Sequence, residues 1–264
     1  MRKIIMIYFF KCIFLSALFS SLTWSKPLVL VGYFDAFEGA ENNNSEKVAK
    51  LLEKRSLNRS EFSIKLCQLR TVFDKSFYQF ENCLKNLNQV PDLVLGLGEA
   101  GCRFKIETIV RNLDLNIRPD NEGNVRMNTP IIPGAPDEVG LNYPLAKMYC
   151  SLSPKERSQT EISLDAGSFV CNNLSYQFSF HYKNLKQGFI HVPSHSCRNL
   201  SEKTLLSVLK LEKMISSGLI ESSSLLPVSS EEIQEKIQET SGEICENEFY
   251  KKLKMLKRKS PRKF

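Results

Sequence analysis

The sequence predicts an α/β fold: a single-domain α/β/α open sandwich around a twisted mixed, mostly parallel sheet. Three observations lead there. Apolar strand-like runs alternate with amphipathic helical stretches along most of the chain. Runs such as Leu28-Val29-Leu30-Val31 and Leu93-Val94-Leu95-Gly96-Leu97 are apolar throughout, as strands buried on both faces are. A chain of 264 residues with 42% hydrophobic content is long enough to bury one full core.

The elements follow in order. Residues 28–31 open as a buried strand, 45–55 carry a helical pattern, 62–69 read as a strand, 73–87 as a helix and 93–97 as a second buried strand. Residues 118–136 are rich in Pro, Gly and Asn and predict a long irregular connection of the kind that walls a site. A helix is expected over 141–148, a short strand over 161–164, a turn at Ala166-Gly167-Ser168 and a helix over 171–182. Residues 188–192 form an apolar strand that Pro193 stops, and helical spacing returns over 200–216. After Ser222-Ser223-Ser224 a linker-like break precedes two short helical patterns, 229–240 and 248–257. There is no internal repeat and no Gly-rich phosphate loop. His181, His191 and His195 lack metal-site spacing, so neither a metal nor a cofactor is expected.

The two ends stand apart from this pattern. Arg2 and Lys3 precede an apolar run broken by Lys11, and Thr23-Trp24-Ser25 puts small residues at the two positions a signal peptidase reads. Residues 1–25 therefore read as a cleaved export signal, and the expected location is periplasmic or secreted. Lys11 divides the run into pieces shorter than the roughly 20 residues of a spanning helix, so no membrane span is expected after cleavage. The net charge of +7 is unevenly placed: residues 1–25 hold three basic residues and no acid, residues 251–264 hold eight and no acid, and between them 25 basic residues face 29 acidic ones. Basicity lives in a tail. Such a run reads as a solvated or disordered end, with attachment to an anionic surface or nucleic acid as the alternative, and no nucleic-acid partner is expected. The expected organisation is a signal at 1–25, an α/β domain at 26–220 and a C-terminal helical extension with a basic tail at 221–264.

Cysteine usage supports export separately. Removing Cys12 with the signal leaves Cys67, Cys83, Cys102, Cys150, Cys171, Cys197 and Cys245. In an oxidising compartment six of these would pair, in any of fifteen ways that sequence does not rank. Cys197 with Cys245 is one candidate pair, which would tether the C-terminal helices near the active-site edge. The free thiol should be Cys171, because a bridged sulfur cannot attack. The competing reading is seven reduced thiols in a cytoplasmic protein.

Asp165-Ala166-Gly167-Ser168-Phe169-Val170-Cys171-Asn172-Asn173 and Gly188-Phe189-Ile190-His191-Val192-Pro193 place a cysteine and a histidine where a thiol hydrolase needs them. Cys171 falls at a helix N-terminus, where unpaired N–H groups and the helix dipole favour the nucleophilic thiolate. His191 would project from a strand's carboxyl edge, where open α/β sheets hold ligands. It would take the thiol proton and later protonate the leaving amine. A buried structural cysteine and a structural strand histidine are the plainer alternatives.

With Gly32-Tyr33-Phe34-Asp35-Ala36-Phe37-Glu38-Gly39, Pro91 to Gly101, Pro119 to Asn124 and Pro133-Gly134-Ala135-Pro136, these motifs make the chain resemble the pyroglutamyl peptidase I family, cysteine peptidases that remove an N-terminal pyroglutamate. The resemblance runs from about Leu28 to Pro193 and implies a peptide substrate with N-terminal pyroglutamate. It implies that Cys171 and His191 are catalytic, with Glu107 as the acid that orients the imidazole, since Glu107 and Asn112 keep the family's five-residue separation. It further implies that Phe34 and Phe37 flank the substrate ring, that the main-chain carbonyl of Glu99 accepts the lactam N–H, and that Asn43 braces the aromatic loop. The chain departs from the family pattern at Ala36, Glu38 and Asn44, and carries the extra Tyr33.

The chemistry of the substrate agrees. A pyroglutamyl terminus has no ammonium, so its site needs apolar faces for a flat ring and one donor and one acceptor for the lactam amide, with no carboxylate anchor. Two other readings share the same motifs: an exported non-catalytic relative that binds peptide termini or a partner, and an amidase for a different small acyl group.

Overall fold

In the computed structural model, which describes residues 26–37, 39–58, 61–219 and 244–259, strand β1 (Leu28–Phe34) is buried at every position. Its apolar run suits a strand covered on both faces. It pairs in parallel with β2 (Ser63–Leu69) on one side and β3 (Leu93–Glu99) on the other. β4 (Phe104–Glu107), β9 (Thr160–Ser163) and β10 (Gln187–Val192) complete a six-stranded sheet of order β2-β1-β3-β10-β4-β9. β10 runs parallel to β3 but antiparallel to β4, and β4 is parallel to β9, so the sheet is mixed and mostly parallel. Two small antiparallel pairs lie outside it: β5 (Ile109–Arg111) with β8 (Glu138–Gly140), and β6 (Asp114–Asn116) with β7 (Arg126–Thr129).

Helices cover both faces of the sheet. α1 (Asn44–Ser56) packs on β1, β2 and β3 and against α6 (Leu200–Leu219), whereas α2 (Lys75–Lys85) packs on β2 and against α5 (Val170–His181). α3 (Leu145–Cys150) and the short α4 (Pro154–Ser158) lead into β9. α7 (Ile244–Lys259) packs on α3 and buries Phe249 and Leu253.

The observed elements differ from the expected ones where local chemistry intervenes. The helix expected from 141 begins only at Leu145, because Pro144 occupies its N-cap, a position that needs no backbone N–H. Residues 118–136 are not wholly irregular, since Arg126–Thr129 pairs with β6. The extra Tyr33 lies within β1, buried like its neighbours. The export segment 1–25, Glu38 and the helical pattern at 229–240 lie outside the described residues.

Three cysteine pairs lie at disulfide distance: Cys67–Cys83 at 2.06 Å, Cys102–Cys197 at 2.04 Å and Cys150–Cys245 at 2.09 Å. The expected pairing of Cys197 with Cys245 is therefore wrong. β3 and β10 are parallel neighbours, with Glu99 opposite Val192, so the segments leaving them emerge side by side and bring Cys102 to Cys197. Cys245 is held instead by the helix it packs on. Among the described residues only Cys171 is free.

Candidate active site

β3, β10 and the first turn of α5 converge at the carboxyl end of the parallel strands. Gly167, at φ +85°, turns the chain after β9, and Phe169 holds extended backbone at the N-cap of α5, so Cys171 is the helix's second residue. Asn172 fixes that turn from below: it accepts from Arg111 N at 2.8 Å and donates to the carbonyls of Arg111 and Leu113. Asn173 donates to Asp114 at 2.8 Å. Burial pushes the Asp114 carboxyl up to about 7, against the opposing hydrogen bond from Asn173.

His191 stands on β10 opposite Gly98 of β3. A Cβ on Gly98 would sit 2.8 Å from Cys171 Sγ and 3.2 Å from His191 Cδ2, so the sulfur and the imidazole both lie over a position that only glycine leaves open. From the other side, β4 brings Glu107 to the ring. Because β4 is antiparallel to β10 and pairs Lys105 with His191, Glu107 lies two residues along on the same face, a diagonal neighbour. Its Oε1 is 2.7 Å from His191 Nδ1, with Glu107 0% and His191 5% exposed.

The electrostatics of this pair are set by burial and by partners. Desolvation alone would lower the imidazole's affinity for its second proton. Hydrogen bonds to Cys171 and Glu107, and the charges of both, outweigh it and raise His191 to about 10. With Nδ1 engaged by Glu107, the other ring nitrogen is left to Cys171. Tyr143 donates to the main-chain carbonyl of Glu107 at 2.7 Å, and burial followed by the Glu107 charge pushes its phenol well above the usual range.

Glu99, at the end of β3, is engaged elsewhere. Its carboxylate accepts from Asn44 N at 2.6 Å and pairs with His195 Nδ1 at 2.5 Å. The structure thus holds two Glu–His pairs, and only the Glu107 pair includes His191.

Asn43 lies against the loop after β1, donating to Asp35 O at 3.0 Å and accepting from Ser45 N at 2.9 Å. Asn121 also bonds to this loop, donating to Ala36 O at 2.8 Å. Phe34 is buried, 6.5 Å from the ring of Phe189, which lies 5.0 Å from His191. Phe37 is half-buried, 5.0 Å from Phe169, and Phe169 meets Phe73 edge-on at 5.2 Å. Phe169 and Phe73 escape sequence reasoning. Phe169 is legible only as a residue two before Cys171, and Phe73 reads there as a helix start. Among the described residues no cluster of His, Cys, Asp or Glu could hold a metal ion. The arrangement supplies a free thiol, a buried imidazole held by a carboxylate, and a group of aromatic rings around Phe169, which is equipment for acyl transfer through sulfur.

Comparison with known proteins gives the same answer. The pyroglutamyl peptidase family model matches residues 27–221. A pyrrolidone-carboxylate peptidase of Bacillus mycoides is 32% identical over 174 residues, covering 64% of this chain and 78% of that protein. That of Bacillus cytotoxicus is 33% identical over the same extent. Among solved structures, pyroglutamyl peptidase I of Bacillus amyloliquefaciens superposes with a TM-score of 0.65 at 26% identity, covering 77% of this chain and 100% of that one. A variant of the pyrrolidone carboxyl peptidase of Pyrococcus furiosus superposes with a TM-score of 0.62 at 28% identity, covering 74% and 99%.

Proposed function

Since this chain belongs to the pyroglutamyl peptidase family of cysteine ω-peptidases, we propose that it removes N-terminal pyroglutamyl residues with Cys171, His191 and Glu107 as its triad, and that it works outside the cytoplasm. The observation that carries the triad is the 2.7 Å contact between buried Glu107 and His191, beside the free Cys171. In this reading the Cys171 thiolate attacks the pyroglutamyl carbonyl carbon. Backbone N–H groups at the start of α5, Cys171's own among them, hold the resulting oxyanion. His191, protonated, gives its proton to the departing amine as the C–N bond breaks and the thioester forms. Water then attacks the thioester with His191 as base, releasing pyroglutamate and restoring the thiolate–imidazolium pair. Glu107 holds the Nδ1–H throughout and stabilises the positive ring.

Selectivity rests on Phe34 and Phe37 as apolar walls and on the Glu99 carbonyl as lactam acceptor. Because Glu99's carboxylate is already taken by Asn44 and His195, it offers little to a free ammonium. Assaying the reduced mature chain on pyroglutamyl amides beside free-amine aminoacyl amides tests this: turnover confined to the former is expected, and equal or reversed rates would point to another amidase. Gly98→Ala is expected to lower kcat at least about tenfold while leaving the fold intact, because a methyl there displaces the sulfur or the imidazole from line of attack. Unchanged turnover in that variant would mean that the pair is not held where the chemistry needs it.

Export is supported by how the cysteines partition, six at pairing distance and one, Cys171, free. Thiol titration of the oxidised, denatured mature chain should find a single thiol, mapping to Cys171. Seven would overturn the compartment. The bridges close loops of 16, 95 and 95 residues. On the chain-entropy account each contributes about 3 to 5 kcal/mol, so reducing agent should lower the melting temperature markedly.

A further inference from the structure

Helix α7 lies beyond the segment that the family model matches, and its two faces differ sharply. The inner face is fixed to the body twice over. Cys245 reaches Cys150, and Phe249 is buried 5.4 Å from the ring of Tyr149, which also carries Lys252 Nζ at 5.6 Å. The outer face is mainly cationic, with exposed Glu248 one turn before Lys251 as its acid among the described residues. Lys251, Lys254, Lys257 and Arg258 are exposed and make no ion pair among the described residues, with Met255, 54% exposed, between them. Residues 251, 254, 255 and 258 follow i, i+3, i+4, i+7 spacing, so they form one stripe.

Elsewhere many surface cations face an acid, as Lys50 does Glu46, Arg55 Glu212, Lys75 Glu122, Arg126 Asp74 and Lys213 Glu156, and those without one, such as Lys47, Lys65 and Lys155, are not gathered on one helix face. On α7 like charges stand three and four apart, where they repel, and the sequence that follows adds Arg262 and Lys263 and no acid. A rigid stripe of unpaired cations is complementary to an extended anionic surface. Met255 favours lipid over nucleic acid, since an apolar side chain among cations enters the headgroup–acyl boundary, whereas a phosphate backbone offers it nothing. The stripe also carries no exposed aromatic ring on which bases could stack.

We propose that the outer face of α7 attaches this protein to anionic lipid bilayers, holding the peptidase at a membrane surface without spanning it. Cosedimentation of the full mature chain with vesicles tests this, using phosphatidylcholine alone and phosphatidylcholine with about one third phosphatidylglycerol. Binding is expected on the anionic vesicles only, and should be lost when salt rises from about 0.05 to about 0.5 M. The K251E/K254E/R258E variant should bind about 100-fold more weakly, at roughly fivefold per cation. Its thiol count and its turnover of pyroglutamyl amides should match those of the parent, which separates loss of attachment from loss of fold. Absence of binding to anionic vesicles, equal binding to neutral ones, full binding by the triple variant, or binding to a single-stranded oligonucleotide in place of vesicles would each overturn the proposal.

Discussion

Replacing Cys171 with alanine is expected to abolish hydrolysis of pyroglutamyl amides by the mature chain, a fall on the order of 10⁵-fold or more in kcat, as loss of a covalent nucleophile produces. The reason is specific to this position. Cys171 is the free thiol of the described chain, it lies in the first turn of α5, and its sulfur shares the space over Gly98 with the His191 ring. No neighbouring cysteine can substitute, since the other six are at pairing distance from one another. The variant should also change His191 itself. In the parent chain, burial works against the imidazolium, and the hydrogen bond and charge of Cys171 lead the groups that oppose it, bringing His191 to about 10. With the sulfur gone only Glu107 opposes burial, so the imidazole should titrate at lower pH, readable from its ring protons by NMR. Undiminished turnover in Cys171→Ala would sink the mechanism. An unmoved His191 titration would show that sulfur and ring are not coupled.

Glu107→Gln should lower kcat by about 10² to 10⁴-fold, while Glu99→Gln stays within a few-fold of the parent. Glutamine at 107 keeps the shape and can still accept from His191 Nδ1–H, but it carries no charge to hold the ring as imidazolium. Glu107 Oε2 has no hydrogen-bond partner among the described residues, so the exchange breaks no other side-chain bond at that atom. At position 99 the reading asks only for the main-chain carbonyl, and a glutamine side chain can still accept from Asn44 N. Steady-state kinetics on one pyroglutamyl amide decide between the two. The reverse ranking would show that the orienting acid has been misplaced.

The two motifs around Cys171 and His191 are legible because their chemistry is local: a turn, a helix start, and an apolar strand stopped by proline each occupy a few consecutive residues. Glu107 is legible only by resemblance. Nothing in the four residues Phe104–Glu107 tells that they insert antiparallel beside β10, and that insertion is what turns the carboxylate toward the imidazole. The misassigned partner of Cys197 has the same origin. Cys102 and Cys197 are 95 residues apart and meet because two parallel strands end at the same level of one sheet.

By itself, then, the sequence determined the α/β alternation, the turn and helix start that carry Cys171, and the proline-stopped strand that carries His191, because periodicity, capping and residue chemistry act over neighbours in the chain. The tertiary structure alone decided that Glu107 meets His191, which cysteines meet each other, and that Phe169 brings Phe37 and Phe73 together. Those contacts depend on strand order and direction, which the packing of the whole core selects and no local segment encodes.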